Sequence, residues 1–154
     1  MKTEKTPLEN AIELTPDVTG HFKKGIQAVK NEYRSIISAT DSRKLTGSVD
    51  IDSATSKLYP NDNRWDNAIE YNNETFFVEF HPASTSNVDE LLKKQSWIKD
   101  WLKSHAPKID ALKAKNGNAF NWIATGRISI LKGSRQHRQL ATAGLLPQKR
   151  LLFQ

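Results

Sequence analysis

The stretch RWDNAIEYNNETFFVEFHPA, residues 64–83, contains two strand-like runs, and each carries an acidic residue among apolar neighbours: Asp66 and Glu79. The runs flank Asn72-Asn73, and Asn tolerates the positive φ that a two-residue type I′ hairpin turn requires. With that turn, the register places Asp66 directly opposite Glu79. Cross-strand neighbours have Cβ atoms about 4.5–5.5 Å apart, so the two carboxylates repel unless a cation or a proton lies between them.

A divalent cation would relieve this repulsion, because Mg²⁺ prefers carboxylate and water oxygens. Two other interpretations stay open. A bulge or a longer loop would separate Asp66 from Glu79, or Arg64 could neutralise the pair as a structural ion cluster. His81 alternates onto the face of Glu79 and could act as a general base or a ligand, although a histidine at a strand end is as often a surface residue.

The helix after the hairpin offers two further candidates. Gln95 lies in the middle of its apolar stripe, so the amide is expected to point toward the sheet, unless backbone groups satisfy it at the edge of the stripe. Lys94 is adjacent and could reach the same cleft, or it could remain solvated. We therefore treat both as candidate site residues.

Periodicity and punctuation predict the elements that position these residues. Thr15-Pro16 is typical of a helix start, and apolar residues at helical spacing extend that first helix to about Ala39. The remaining predicted elements are a strand at 44–52, a hairpin at 64–71 and 75–81, a long helix from Ser86, a short helix from Pro107, a turn at Asn116-Gly117-Asn118, strands at 120–125 and 127–131, a basic helix at 134–143 and a last strand at 150–153.

This order of elements predicts an α/β domain whose sheet is mixed and flanked by helices. The hairpin is antiparallel, whereas a strand–helix–strand crossover implies a parallel pair. The length of 154 residues suits one core. We therefore predict a single domain over residues 16–154, preceded by a loose N-terminal segment, residues 1–15.

The pattern resembles the PD-(D/E)xK nuclease superfamily, with its restriction-endonuclease-like αβββαβ core. In this resemblance Asp66 corresponds to the carboxylate of the second core strand, and Glu79-Phe80-His81 corresponds to the (D/E)-x-K element. It implies a site for Mg²⁺ or Mn²⁺ held by Asp66, Glu79 and the backbone carbonyl of Phe80. Lys94 could replace the lysine that His81 displaces, and Gln95 matches a crossover-helix glutamine of some branches.

The chain also resembles small bacterial proteins of uncharacterised activity that share a WD…VE-x-HPA…W…WL pattern. In some branches of the nuclease superfamily a Glu on the first helix contributes to the site, and Glu32 is the candidate here. The resemblance implies metal-dependent hydrolysis of DNA or RNA. Because the family's lysine is absent from its usual place, the alternative is an inactive module of the same fold that binds nucleic acid or a partner protein, including a second copy.

The charge balance favours a polyanionic partner. Lys and Arg number 23 against 17 Asp and Glu, the net charge is +6 and the pI is about 9.6. The candidate phosphate contacts are Arg135, Arg138, Lys149 and Arg150. The absence of cysteine excludes disulfides and thiolate metal sites. MKTEKTPLEN lacks the apolar segment of a secretory signal, and no apolar run is long enough to cross a bilayer, so we expect a cytoplasmic protein without membrane contact.

Overall fold

The computed structural model of the chain describes residues 4–115 and 118–154. The first two residues of the predicted turn at Asn116-Gly117-Asn118 therefore lie outside the described residues, as do residues 1–3. The helices of the described part are α1 (Pro7–Glu13), α2 (Ile51–Thr55), α3 (Val88–His105), α4 (Pro107–Asp110) and α5 (Arg135–Ala143). The strands are β1 (Phe22–Lys24), β2 (Ile37–Ala39), β3 (Leu45–Asp50), β4 (Asn67–Tyr71), β5 (Glu74–Ser84), β6 (Phe120–Ser129) and β7 (Leu151–Phe153).

The predicted α/β class with a mixed sheet flanked by helices is confirmed. The larger sheet has the order β1-β3-β4-β5-β6, and β2 pairs with β7 in a smaller sheet. The pairs β1–β3, β3–β4 and β4–β5 are antiparallel, whereas β6 runs parallel to β5. The crossover between β5 and β6 contains α3. No helix in the described part of the chain combines the length and the apolar character that a membrane span requires.

The hairpin has the predicted register. Asn67 lies opposite Val78 and Tyr71 lies opposite Glu74. Asn72 and Asn73 connect the strands with φ angles of 53° and 66°. Left-handed values at both central positions define the type I′ turn, whose twist matches that of the flanking strands. The turn therefore fixes which residues of β4 and β5 face each other.

Two apolar cores lie on opposite faces of the large sheet. The helix-face core packs strand residues such as Ala68, Phe77 and Trp122 against α1, α3, α4 and α5. The β7-face core packs the alternating strand residues, such as Ile69 and Val78, against β2 and β7. Side chains alternate between the two faces along each strand. Because a core covers each face, the sheet is buried on both sides, and each strand residue packs in one core or the other.

The prediction of a loose segment over residues 1–15 is wrong for α1. Leu8 and Ile12 of this helix are fully buried in the helix-face core. Glu70 of β4, which is itself buried, accepts hydrogen bonds from the Leu8 backbone N–H at 2.9 Å and from Thr46 Oγ1 at 2.8 Å. A carboxylate that satisfies a free N–H of the first helical turn stabilises that turn, and here it attaches α1 to the sheet.

The predicted first helix from residue 16 to about Ala39 is also wrong. This stretch forms short 3-10 turns together with β1 and β2. Gly20 and Gly25 adopt φ angles of 86° and 56°, values that interrupt a right-handed helix. Of the apolar residues that suggested helical spacing, Phe22 of β1 pairs with Val49 of β3. The others pack in the β7-face core outside the strands: Ile26, Val29, Tyr33 and Ile36. The two strands predicted at 120–125 and 127–131 form one strand, β6.

Candidate functional site

Asp66 and Glu79 meet where the ladder between β4 and β5 ends. The last ladder pair is Asn67 with Val78, and beyond it the acidic side chains bond to the backbone of the facing strand. Glu79 Oε1 accepts from the Asp66 backbone N–H at 3.0 Å, and Asp66 Oδ2 accepts from the Phe80 N–H at 2.9 Å. The two residues are therefore adjacent, as the hairpin register predicted, but each carboxylate replaces a main-chain acceptor.

The strand register does not continue to Trp65. Continuation of the register would pair Trp65 with Phe80, but Trp65 packs in the helix-face core and Phe80 in the β7-face core. The backbone carbonyl of Asp66 turns instead toward α2 and accepts hydrogen bonds from Ile51 and Asp52 at 2.9 and 3.3 Å. A break in the alternation at Asp66 explains both observations.

Lys94 of α3 completes this corner of the sheet. Its Nζ lies 3.1 Å from Glu79 Oε2 and 3.0 Å from the carbonyl oxygen of Arg64. The side chains of Lys94 and Glu79 are only 15% and 2% exposed. A buried charge is favourable only when it is paired and hydrogen-bonded. The Lys94 ammonium of α3 meets this condition, because it contacts Glu79 and a backbone carbonyl.

Burial perturbs both carboxyl groups. The pKa of Glu79 is raised to about 8, first by burial and then by the neighbouring charge of Asp66, while Lys94 opposes the shift. Burial also raises the pKa of Asp66, against the Phe80 N–H and the charge of Lys94. At neutral pH Glu79 therefore keeps its proton in most molecules, and that proton is one way in which the repulsion predicted from the register is relieved.

A small cavity of about 70 Å³ opens beside Asp66. Tyr33, whose ring stacks on Phe80 with centroids 4.7 Å apart, forms one wall. Asp50 and Asp52 also line it, but both have partners: Asp50 accepts from the Ser53 N–H at 2.9 Å and caps α2, and Asp52 pairs with Arg64 at 2.8 Å. The ion pair of Arg64 is thus with Asp52, whereas the interpretation of a structural cluster placed it on the Asp66–Glu79 pair.

The donor set fits a hydrated divalent cation only in part. Within residues 4–115 and 118–154, no three His, Cys, Asp or Glu side chains are grouped so that they could hold a metal ion. Asp66 Oδ1 makes none of the hydrogen bonds observed in those residues, and Glu79 Oε2 is bound by Lys94. Mg²⁺ commonly keeps several waters and uses one or two carboxylates, so these two oxygens meet the minimum requirement.

The observed contacts of His81 and Gln95 lead away from the acidic pair. His81 Nε2 lies 3.0 Å from Glu90 Oε2, and its Nδ1 lies 2.9 Å from the Pro82 carbonyl. Gln95 is buried in the stripe as predicted, but its Nε2 donates to the Ala143 carbonyl at 3.0 Å and so joins α3 to the end of α5. The expected approach of both residues to Glu79 is therefore not observed.

The four predicted phosphate contacts divide between two places. Arg135 and Arg138 are exposed on α5, which packs on α3, and Arg138 Nη1 donates to the Gly133 carbonyl at 2.6 Å. Lys149 and Arg150 are exposed immediately before β7, whose Leu151 and Phe153 enter the other core. The structure thus offers two basic segments rather than one continuous patch.

Sequence reasoning missed two groups near the site. Tyr33 and Lys30 line the cavity beside Asp66, but they were assigned to the helix that does not form. Glu32, a candidate from the same incorrect helix, is exposed on a 3-10 turn. The one available signal was Gly20 and Gly25, which argued against a continuous helix before these residues.

Comparisons with known proteins give no assignment. No family model matches the chain, and no curated protein or solved structure matches it. Function is therefore inferred from the geometry around Asp66, Glu79 and Lys94.

Proposed function

We propose that the protein is a divalent-metal-dependent nuclease that hydrolyses phosphodiester bonds of DNA or RNA on a restriction-endonuclease-like core. One observation carries the proposal: the Lys94 ammonium lies 3.1 Å from Glu79, which in turn bonds to the backbone of Asp66. Two carboxylates and one amino group on adjacent elements are the groups that such a reaction needs.

The order of elements supports the same proposal. Three antiparallel strands (β3, β4 and β5) are followed by the crossover helix α3 and by β6, which is parallel to β5. Asp66 precedes the second of these strands, Glu79 lies on the third, and Lys94 lies on the crossover helix. In the resembled family the lysine follows the second acidic residue on its own strand, and here α3 delivers an ammonium to the same carboxylate.

In this mechanism the carboxylates of Asp66 and Glu79 would hold the cation. A bound Mg²⁺ or Mn²⁺ supplies Lewis-acid polarisation of the scissile phosphate. Glu79 would have to lose its proton to the solvent to act as a ligand, and the Lys94 ammonium would then be available to contact the phosphate. There the ammonium orients the attacking water and balances the negative charge that develops on the phosphate oxygens.

The exposed basic residues would position the nucleic acid without reading its sequence. Arg135 and Arg138 lie on α5, next to the helix that carries Lys94. Lys149 and Arg150 form the second basic segment. Side chains that contact phosphates fix register and orientation and make binding strongly dependent on salt.

Cleavage of supercoiled plasmid and of single-stranded RNA in the presence of Mn²⁺ tests the proposal. Asp66→Asn and Glu79→Gln are each expected to abolish cleavage, and Lys94→Met to reduce it by about 100-fold or more, as expected for a lost charge-stabilising group. Lys93→Met, which removes the exposed neighbouring lysine, is the matched control and should cleave normally. Cleavage that persists unchanged in both carboxylate variants would refute this mechanism.

A second candidate function is an inactive module of the same fold that binds nucleic acid or a partner protein. It is favoured by the burial of Glu79 and by the backbone hydrogen bonds that already use both carboxylates. Titration of the wild-type protein with Mn²⁺ in a calorimeter distinguishes the two. No heat of binding, together with intact association with DNA, would favour the module.

A further inference from the structure

A second cavity, of about 250 Å³, lies between the loop that precedes β4 and the C-terminal half of α3. It shares no lining residue with the cavity beside Asp66. Its walls combine aromatic rings with carboxylates. The lining residues that matter here are Tyr59, Asp62, Trp97, Asp100, Trp101 and His105.

Three of these rings form a corner. Trp97 and Trp101, one helical turn apart on α3, stack with centroids 5.9 Å apart and an angle of 9° between their planes. Tyr59 stands against Trp97 at 5.9 Å with its plane inclined by 72°. Aromatic faces carry negative charge from the ring quadrupole, so a ring face that lines the cavity attracts a cation placed over it.

Two carboxylates bind the polar edges of these rings, one from behind the rings and one from the cavity wall. Asp17 accepts from Tyr59 Oη at 2.7 Å and from Trp101 Nε1 at 2.9 Å, and Asp62 accepts from Trp97 Nε1 at 3.0 Å. Each ring thus has its polar edge bound. A site whose walls are fixed before the ligand arrives loses little conformational entropy on binding.

The charge around the cavity is predominantly negative. Asp62 and Asp100 line it and Asp17 lies behind its rings, whereas no lysine or arginine of the described residues lines it. Asp100 is exposed, and no hydrogen bond or ion pair within the described ranges uses its carboxylate. This carboxylate is therefore available to a ligand at the rim.

We propose that this cavity binds a small organic cation that carries an alkylammonium group. The methyl or methylene groups of the ligand would contact Tyr59 and Trp97, and Asp100 would balance its charge. The site is independent of the proposed nuclease activity, because it uses different side chains.

The four tryptophans allow a direct test by NMR, since each gives one indole N–H signal. Titration with tetramethylammonium chloride is expected to shift the Trp97 and Trp101 signals in a saturable manner. The fully buried Trp65 and Trp122 should not shift and serve as internal references. 3,3-Dimethyl-1-butanol, a neutral molecule with a tert-butyl group of similar shape, is the matched ligand control and should bind at least about tenfold more weakly if charge drives recognition.

Two protein variants complete the test. Asp100→Asn keeps the aromatic corner and should weaken tetramethylammonium binding about fivefold, because one nearby charge is lost. Asp89→Asn, which changes another exposed aspartate of α3, should bind as the wild type does. The proposal is overturned if the cation produces no saturable shift, if the neutral molecule binds equally well, or if Asp100→Asn leaves the affinity unchanged.

The ammonium group could belong to a free metabolite or to a lysine side chain. Parallel titrations with choline and with Nα-acetyllysine amide distinguish these sources. Tighter binding of choline assigns the cavity to a free quaternary ammonium compound, and tighter binding of the lysine derivative assigns it to a side chain. A failure of both to bind the wild-type protein would refute the proposal without bearing on cleavage by Asp66 and Glu79.

Discussion

Glu79 should make the stability of this protein fall as the pH rises from weakly acidic to weakly basic values. Its pKa in the folded protein is about 8, above the ordinary value of 4.5, mainly because the side chain is buried. Between these two values the unfolded chain has lost the proton that the folded protein still holds. The folded state then binds more protons than the unfolded state, so the free energy of unfolding decreases with pH.

The size of the effect follows from the same two values. Each pH unit between the ordinary pKa and the folded pKa corresponds to about 1.4 kcal/mol, which gives a loss of roughly 5 kcal/mol in total. The stability that the Glu79 proton contributes is fully present below pH 4.5 and is lost by about pH 8. A typical domain has a stability of about 5–15 kcal/mol, so one buried carboxyl group would remove a large fraction of it.

Denaturant unfolding at a series of pH values from 5 to 8.5, followed by tryptophan fluorescence, measures this dependence. Glu79→Gln resembles the protonated side chain and cannot ionise. Between the two ends of the series, the free energy of unfolding of Glu79→Gln should therefore rise relative to that of the wild type. The rise should be most of the roughly 5 kcal/mol. Glu32→Gln removes an exposed glutamate and is the control that should follow the wild type.

Parallel curves for the wild type and Glu79→Gln would refute the reasoning. That result would mean that Glu79 is ionised at every pH and that the Lys94 ammonium compensates fully for its burial. Lys94→Met separates the two cases further. Because Lys94 lowers the pKa of Glu79, its removal should extend the decline in stability to higher pH.

Three other predictions follow from the geometry. Mn²⁺ affinity, measured by calorimetry, should rise between pH 6.5 and 8.5 with release of a proton, because a ligand carboxyl must ionise; affinity independent of pH would contradict the role of Glu79. Asn73→Ala should destabilise the hairpin by about 1 kcal/mol in denaturant unfolding, since φ is 66° there, whereas Asn73→Gly should be neutral or stabilising. Glu70→Ala should cost roughly 2–4 kcal/mol and speed amide exchange at Leu8, because the buried Leu8 N–H and the half-buried Thr46 hydroxyl lose their acceptor; unchanged exchange would show that α1 does not depend on this carboxylate.

Local chemistry made the hairpin predictable. Two asparagines that tolerate left-handed φ define the turn, the turn defines the register, and the register brings Asp66 next to Glu79. The apolar stripe of α3 was equally clear, with Leu91, Ile98 and Leu102 buried as the spacing indicated. In each case the information lies within a few neighbouring residues.

The remaining features depend on distant contacts. A helical spacing of apolar residues could not show that Phe22 would pair with Val49 across a sheet. The burial of α1 depends on Glu70, a residue far away in the sequence. The destinations of His81 and Gln95 were not predictable for the same reason, because their partners, Glu90 and the Ala143 carbonyl, are set by how α3 and α5 dock.

Because α3 packs over Glu79 and buries it, this residue affects the kinetics of folding. The hairpin is a local structure and can form early, while β6 joins β5 only after the whole crossover has closed. Until then Glu79 is solvated and ionised, so docking of α3 at neutral pH must draw a proton from the solvent. Refolding in weak buffer with an indicator dye should show a lasting rise in pH that coincides with sheet closure, and this signal should vanish in Glu79→Gln.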